Sequence, residues 1–270
     1  MIKLSDYVIQ FIAGQGVRHI FMVTGGGAMH LNDSIGRNGA IEYVCNLHEQ
    51  ACSMAAETYG KVTGNLGVAC VTTGPGGTNA ITGLAGAWLD STPMLVVSGQ
   101  VKRADLKGDT GVRQMGVQEV DIVSIVTPIT KYAVTVMDPA SIRYHMERAV
   151  YLARSGRPGP VWVDLPLDVQ GATIDEATLR AFDPAELVDP DATPLTGEPL
   201  RHAVRKTIEL LNGAERPVLL IGNGIRLSRG EAEMAEVIAA LGVPVLTTWL
   251  THDLVADDHP LFAGRPGPVA

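Results

Sequence analysis

Three times along this chain an apolar run of strand length stops at a cluster of glycines, and a helical pattern follows. Val17–Val23 runs into Thr24-Gly25-Gly26-Gly27, Gly67–Thr72 into Thr73-Gly74-Pro75-Gly76-Gly77, and Pro217–Ile221 into Gly222-Asn223-Gly224. Similar runs at Ile41–Cys45, Pro93–Gly99, Thr130–Val134 and Gly159–Pro166 alternate with helical stretches of roughly ten to fifteen residues. Strands that alternate with helices in this way build βαβ units and a parallel sheet, so the expected class is α/β. The run at 67–72 is almost unbroken in its apolar character, as expected of a strand covered on both faces. Strand ends at Val23, Cys45, Thr72 and Ser98 then put their loops on one edge of the sheet, where open parallel sheets bind ligands.

The remaining pattern divides the chain. Ser5-Asp6 is placed to cap a first helix with Val8, Ile9, Phe11 and Ile12 on its buried face. Small-residue helices are expected at 49–62 and 80–89, with Gly83 and Gly86 marking close packing. Residues 100–117 read as a long loop, Val117–Val123 as the start of a short helix, and 139–153 as another helix. From 168 to 197 periodicity fades and Asp, Pro, Thr and Ala accumulate. A first domain is therefore expected over 1–180, a linker over 181–197 and a second α/β domain over 198–270. That second part offers only two strands, 217–221 and 243–247. Two strands cannot cover both faces of a sheet, so it reads as an incomplete Rossmann-like domain of a truncated chain.

Composition narrows the function. A hydrophobic content of 46% and a charged content of 19% suit a globular protein with ample core. The net charge of −8, without a basic cluster, removes the footprint of a nucleic-acid partner. Cys45, Cys52 and Cys70 show no C-x-x-C spacing and read as buried apolar residues in a reducing compartment. No signal-peptide core and no apolar run of about 18 residues appear, so the expected location is the cytoplasm, without a membrane partner.

Several chemistries fail on spacing. The dinucleotide fingerprint G-x-G-x-x-G breaks at its third glycine each time, at His30, Asn79 and Leu227. No phosphate-loop lysine and no G-x-S-x-G turn occur, and the seven histidines are scattered without an H-x-x-x-H pair, so no protein-only metal site is expected. What remains is Glu49, a carboxylate at a strand-to-helix junction between His48 and Gln50, with Gln100 and Gln118 further along. It is either an ordinary first-turn acid favoured by the helix dipole or a proton-handling group for a flat polar heterocycle.

Ordered motifs then bear on that choice. Leu47-His48-Glu49-Gln50, Ala55-Ala56-Glu57-Thr58-Tyr59-Gly60, Thr73-Gly74-Pro75-Gly76-Gly77-Thr78-Asn79, Asp90-Ser91-Thr92-Pro93 and Ser98-Gly99-Gln100-Val101 stand in sequence order. Gln118-Glu119, Arg157-Pro158-Gly159-Pro160-Val161, Asp164-Leu165-Pro166, Gly222-Asn223-Gly224-Ile225 and Asp257-Asp258-His259-Pro260 continue it. Together they resemble the thiamine diphosphate-dependent enzymes, specifically the acetolactate synthase-like (acetohydroxyacid synthase) group.

The resemblance implies a three-layer pyrimidine-binding domain and the start of a central domain. It implies decarboxylation and carboligation of a 2-keto acid, pyruvate to acetolactate, a transferase step of branched-chain amino acid biosynthesis. Glu49 would hydrogen-bond the pyrimidine ring nitrogen and so activate the cofactor. Gly26, Gly27, Gly74, Pro75, Gly76 and Asn79 would line the cofactor, and Gly25, Val117 and Gln118 the substrate side. Mg²⁺ and the diphosphate would be held by residues beyond Ala270, with no metal ligand in this segment; FAD in the central domain is a further expectation. The active site would be shared between subunits of a homodimer or tetramer, so this chain alone should be inactive. Val117 where phenylalanine is usual, Leu167 where lysine is common and Thr24 where proline is common keep other members open. These are another 2-keto acid decarboxylase or carboligase, for example on a nucleotide-linked keto sugar, or a non-catalytic relic.

Overall fold

A computed structural model describes residues 1–187 and 195–267. The chain divides into two compact units, Met1–Val188 and Asp189–Ala270. The first contains β1 (Ile2–Lys3), α1 (Leu4–Gly14), β2 (His19–Met22), α2 (Met29–Arg37), β3 (Glu42–Cys45), α3 (Glu49–Thr63), β4 (Gly67–Val71), α4 (Pro75–Asn79) and α5 (Ile81–Asp90). It continues with β5 (Met94–Gln100), α6 (Ile122–Val126), β6 (Tyr132–Thr135), α7 (Ile142–Arg154), β7 (Pro160–Pro166), α8 (Leu167–Gln170) and β8 (Thr173–Ile174).

Six strands form one sheet in the order β3-β2-β4-β5-β7-β6, every neighbouring pair parallel. Side chains alternate across it, as the pleat requires. Val68, Cys70, Leu95, Val97, Val161 and Val163 join one core with residues of α1, α2 and α7. Ala69, Val71, Met94, Val96 and Trp162 join a second core with Ala56 of α3, Leu84 of α5 and Val126 of α6. Two cores on opposite faces of one sheet make three layers, which is why β4, β5 and β7 are buried along their whole length. The small residues of α3 and α5 let the two helices close together: a Cβ on Gly83 would fall 2.4 Å from the Ser53 carbonyl carbon.

Several expectations are corrected. The first helix begins at Leu4, without a side-chain cap, because Ile2 and Lys3 pair antiparallel with Ile174 and Thr173 and fix the entry to the helix. Ser5 lies inside the helix and accepts a hydrogen bond from Ser34 Oγ at 2.8 Å. The glycine segment after β4 is wound into α4, with Pro75 at the first turn, where a missing N–H costs nothing. The helix expected from Val117 starts only at Ile122. Gln118 adopts φ 62° and interrupts it, and Asp121 caps the later start. Cys45 is exposed, whereas Cys52 and Cys70 are buried.

Residues read as aperiodic from 168 onward pack on the first unit through at least 182: α8 and β8 belong to it, and Phe182 lies 5.7 Å and 5.6 Å, ring to ring, from Tyr144 and Tyr151. Of the expected linker, 188–194 fall outside the described residues.

The second unit has α9 (Gly197–Asn212), β9 (Leu219–Ile221), α10 (Gly224–Ser228), α11 (Glu231–Leu241), β10 (Val245–Thr247) and β11 (Phe262–Gly264). Among its described residues it carries three parallel strands in the order β11-β10-β9, not two. The third escapes a sequence reading because it is three residues long, incompletely buried and irregular in register at Val245/Leu246. Ile221, Met234, Ile238, Val245 and Val255 form its core. Among the described residues no helix is long and apolar enough to cross a membrane.

Candidate functional site

Parallel pairing of β2 with β3 and β4, and of β4 with β5, brings four strand ends to one edge. Glu49 follows β3 as the first residue of α3. His48 caps that helix, its Nδ1 accepting from the Gln50 backbone N–H at 3.1 Å, and this fixes where the Glu49 side chain leaves the backbone. Glu49 is half-buried. Asn79, at the end of α4, donates Nδ2–H to Glu49 Oε2 at 2.9 Å. Oε1 faces Gly76, where an added Cβ would stand 3.4 Å from it and 2.7 Å from Thr72 Cγ2.

Thr72 joins the two glycine loops. The Gly27 N–H donates to Thr72 Oγ1 at 3.1 Å, and a Cβ on Gly25 would fall 2.5 Å from Thr72 Cβ. Gly26 has nothing within 4 Å of an added Cβ and opens onto free space. On the other side Gly74, at φ 60°, comes so close to the Gln118 carbonyl that a Cβ would sit 2.0 Å from its oxygen. A side chain is excluded there both by conformation and by contact. Val117, beside it, is 83% exposed.

Of the residues singled out from sequence, the structure therefore joins Glu49, Gly76 and Asn79 directly. Gly25 and Gly27 meet them through Thr72, and Gly74 and Gln118 pair through their backbones. Pro75 starts α4, while Gly26 and Val117 border open space. Gln100, counted among the glutamines suited to a ligand, is instead spent internally. Its Nε2–H donates to the Val120 carbonyl at 2.9 Å and to Asp164 Oδ2 at 3.2 Å.

Sequence reading missed the buried frame behind this edge. Asp164 is 1% exposed and accepts from Ser98 Oγ at 2.6 Å, from Thr135 Oγ1 at 3.1 Å and from Gln100. Burial lifts its carboxyl to about 6, although the hydrogen bonds from Ser98, Gln100 and Thr135 pull it down. Trp162 completes the group by donating Nε1–H to Ser98 Oγ at 2.7 Å. Gln170 donates Nε2–H to the Gly27 carbonyl at 2.7 Å and so pins the first glycine loop from behind. One signal was available: a lone carboxylate in the apolar run Val161-Trp162-Val163-Asp164-Leu165 must find partners, because an unpaired buried charge is costly. Among the described residues no three of His, Cys, Asp and Glu gather as a metal site.

Comparison with known proteins bears directly on this edge. Residues 2–125 match the thiamine pyrophosphate enzyme N-terminal TPP binding domain, and residues 204–270 match the thiamine pyrophosphate enzyme central domain. The chain belongs to the thiamine pyrophosphate enzymes.

Within that family, it is 36% identical over 270 residues to an acetolactate synthase of Arthrospira platensis, covering 96% of this chain and 44% of the relative. It is 34% identical over 266 residues to a probable acetolactate synthase large subunit of Methanocaldococcus jannaschii, covering 98% and 43%. A glyoxylate carboligase of Escherichia coli O157:H7 is 35% identical over 266 residues, covering 98% and 42%. The chain thus spans under half the length of these curated relatives.

The residues present fit the pyrimidine end of a thiamine pyrophosphate. Glu49 has one oxygen held by a neutral amide and the other turned toward Gly76, and among the described residues it forms no ion pair that would neutralise it. Such a donor set leaves a carboxylate oxygen able to accept a hydrogen bond from a ring.

Proposed function

We propose that this chain supplies the pyrimidine-binding part of the active site in a thiamine diphosphate-dependent enzyme. The reaction class is decarboxylation and carboligation of a 2-keto acid such as pyruvate, as in acetolactate synthases. The observation that carries this reading is the half-buried Glu49 carboxylate at the sheet edge, with Oε2 held by Asn79 Nδ2–H at 2.9 Å and Oε1 turned toward Gly76, whose missing side chain keeps the approach to it close.

In this reading Glu49 accepts a hydrogen bond from the aminopyrimidine ring and controls its proton. Asn79 orients the carboxylate, and Gly74, Pro75 and Gly76 set the α4 turn beside it. Gly26 and Gly27 give the cofactor backbone to lie against. Gly25, Val117 and Gln118 border the substrate. When bound, thiamine diphosphate supplies the electron sink for decarboxylation, while the protein supplies geometry and proton control.

The functional domains are a pyrimidine-binding domain over 1–180, which the packing of Phe182 on Tyr144 and Tyr151 carries past that expected end, a linker within 181–197 and the beginning of a central domain over 198–270. The lengths of the relatives support placing the diphosphate and Mg²⁺ ligands in polypeptide beyond Ala270. Magnesium favours carboxylate, carbonyl and phosphate oxygens. FAD in the second unit belongs to the same proposal, as does activity that needs more than this chain. A second copy completes the site, as a dimer or tetramer. Leu47 is fully exposed beside Glu49, and Met54, Trp88 and Leu89 on α3 and α5 are exposed as well, an apolar surface that suits a partner subunit. The free thiols suit a cytoplasmic setting.

A second reading is carboligation of a different keto acid. The glyoxylate carboligase matches this chain about as well as the acetolactate synthases do, and Val117 offers the substrate side an unusual, exposed side chain. Glu49→Gln in an enzyme of the relatives' full length is expected to lower turnover by at least ~100-fold, the lower range for lost acid–base help. Near-normal turnover removes the assignment, and product analysis with pyruvate or glyoxylate separates the two readings.

A further inference from the structure

The segment between β5 and α6 is folded around one carboxylate. Glu119 is 6% exposed and takes the Lys107 N–H at 2.6 Å, the Met115 N–H at 2.7 Å and the Gly116 N–H at 3.4 Å. These donors come from both ends of the loop, so a single side chain closes it. Gly116 adds a second closure, donating N–H to the Asp105 carbonyl at 2.8 Å, and packs so tightly that a Cβ would fall 2.6 Å from Val101 Cγ1. Residues 108–115, by contrast, are exposed throughout. Apolar packing therefore does not define this loop; charge-assisted backbone hydrogen bonds do. Among the described residues Glu119 has no cationic partner, and its burial is compensated by the backbone alone.

Gln118 sits between these fixed points. Its neighbour Glu119 is clamped, and the next residue, Val120, has its carbonyl held by Gln100 Nε2–H at 2.9 Å. Gln118 itself is held at φ 62°, a conformation that non-glycine residues avoid unless their surroundings impose it. The outcome is the close seat of its carbonyl on the Gly74 turn.

We propose that Glu119 is a positioning residue: by gathering the Lys107, Met115 and Gly116 amides it forces the Gln118 turn and seats Gln118 and Val117 at the substrate side of the site. This rests on the reading of Gln118 as a substrate-side residue. Glu119→Gln puts an amide NH₂ where N–H donors converge, and is expected to raise hydrogen exchange at the Lys107 and Met115 amides by about 10-fold or more. Exchange elsewhere in the first unit should stay unchanged. In the full-length enzyme with thiamine diphosphate, Mg²⁺ and pyruvate, KM for pyruvate should rise by about 10-fold while the affinity for thiamine diphosphate is kept. Gln118→Ala should raise KM similarly, and the double variant should show no further loss, the non-additivity of two residues acting through one structure.

Unchanged exchange overturns the proposal, as do additive effects or an unaltered KM with the loop open. If Glu119→Gln does not fold, Glu119→Asp keeps the charge one methylene short, and wild-type exchange and KM in that variant overturn it equally. The Glu49→Gln enzyme separates the two levels. If Glu49→Gln retains full activity the catalytic reading falls; if it is inactive while Glu119→Gln behaves as wild type, only the positioning role falls.

Discussion

Asn79 reaches from the last residue of α4 to the first residue of α3 and donates its amide to Glu49 Oε2 at 2.9 Å. Thirty residues separate the two in sequence. The bond links the second glycine segment to the Glu49 carboxylate, so the position of α4 and the orientation of Glu49 are set together. Asn79→Ala removes this donor without removing a buried charge partner. Hydrogen bonds to charged groups contribute about 1.5–3 kcal/mol to stability, so the melting temperature should fall by several degrees, and with Glu49 no longer oriented a fall in kcat of about 10-fold or more is expected in the full-length enzyme. Steady-state kinetics beside a thermal melt checks it, and wild-type kcat would remove Asn79 from the site.

Gly74→Ala should be damaging to the fold. The residue lies at φ 60°, and the added Cβ would meet the Gln118 carbonyl oxygen at 2.0 Å. Strain and clash together should cost more than the ~1–3 kcal/mol of a strained backbone residue alone. Urea unfolding of the variant against the parent measures the loss. Gly26→Ala, where nothing lies within 4 Å of the new methyl, should be near neutral in the same experiment.

Asp164 makes stability depend on pH in a stated direction. Its carboxyl is raised from 3.8 to about 6 in the folded chain. Between these values the folded state holds a proton that the unfolded state has lost, so this group's contribution declines as pH rises from about 4 to about 6 and is fully lost above that. A shift of this size corresponds to about 3 kcal/mol. Asp164→Asn cannot ionise, and its unfolding free energy should lack that decline across pH 4 to 6. Parallel slopes for parent and variant would contradict the buried-carboxylate account.

Thiol chemistry distinguishes the cysteines. Burial pushes the Cys52 thiol up to about 11 and the Cys70 thiol up to about 12, whereas Cys45 is exposed. Thiolate is the reactive form, so a disulfide reagent at about pH 8 should label Cys45 alone in the native chain and all three after denaturation. Rapid native labelling of Cys52 or Cys70 would mean that α3 or the sheet opens readily.

Much of the fold is legible in the sequence, because the signals are local. The apolar runs of β4, β5 and β7, the glycines that end them and the helical stretches between them specify a parallel α/β sheet through period and propensity. The position of Glu49 at a strand-to-helix junction and of the glycine loops was legible in the same way, since strand ends in a parallel sheet share an edge; whether Glu49 is more than a first-turn acid was not. What stayed hidden depends on contacts between distant residues. The start of α1 was misplaced because the strand that fixes it, β8, lies about 170 residues away. β11 was missed because three residues carry no period, and only its pairing with β10 makes it a strand.

The frame of the site belongs to the same class. Ser98 and Asp164 are 66 residues apart, and Gln170 reaches Gly27 across 143. Gln100 looks like a ligand-facing glutamine in sequence, yet its amide is consumed by Asp164 and Val120. The amino-acid sequence by itself determined the alternation of elements, the edge where their loops collect and the carboxylate placed there. The tertiary structure decided which polar groups remain available, since a buried donor or acceptor takes whichever partner the packed chain brings within about 3 Å.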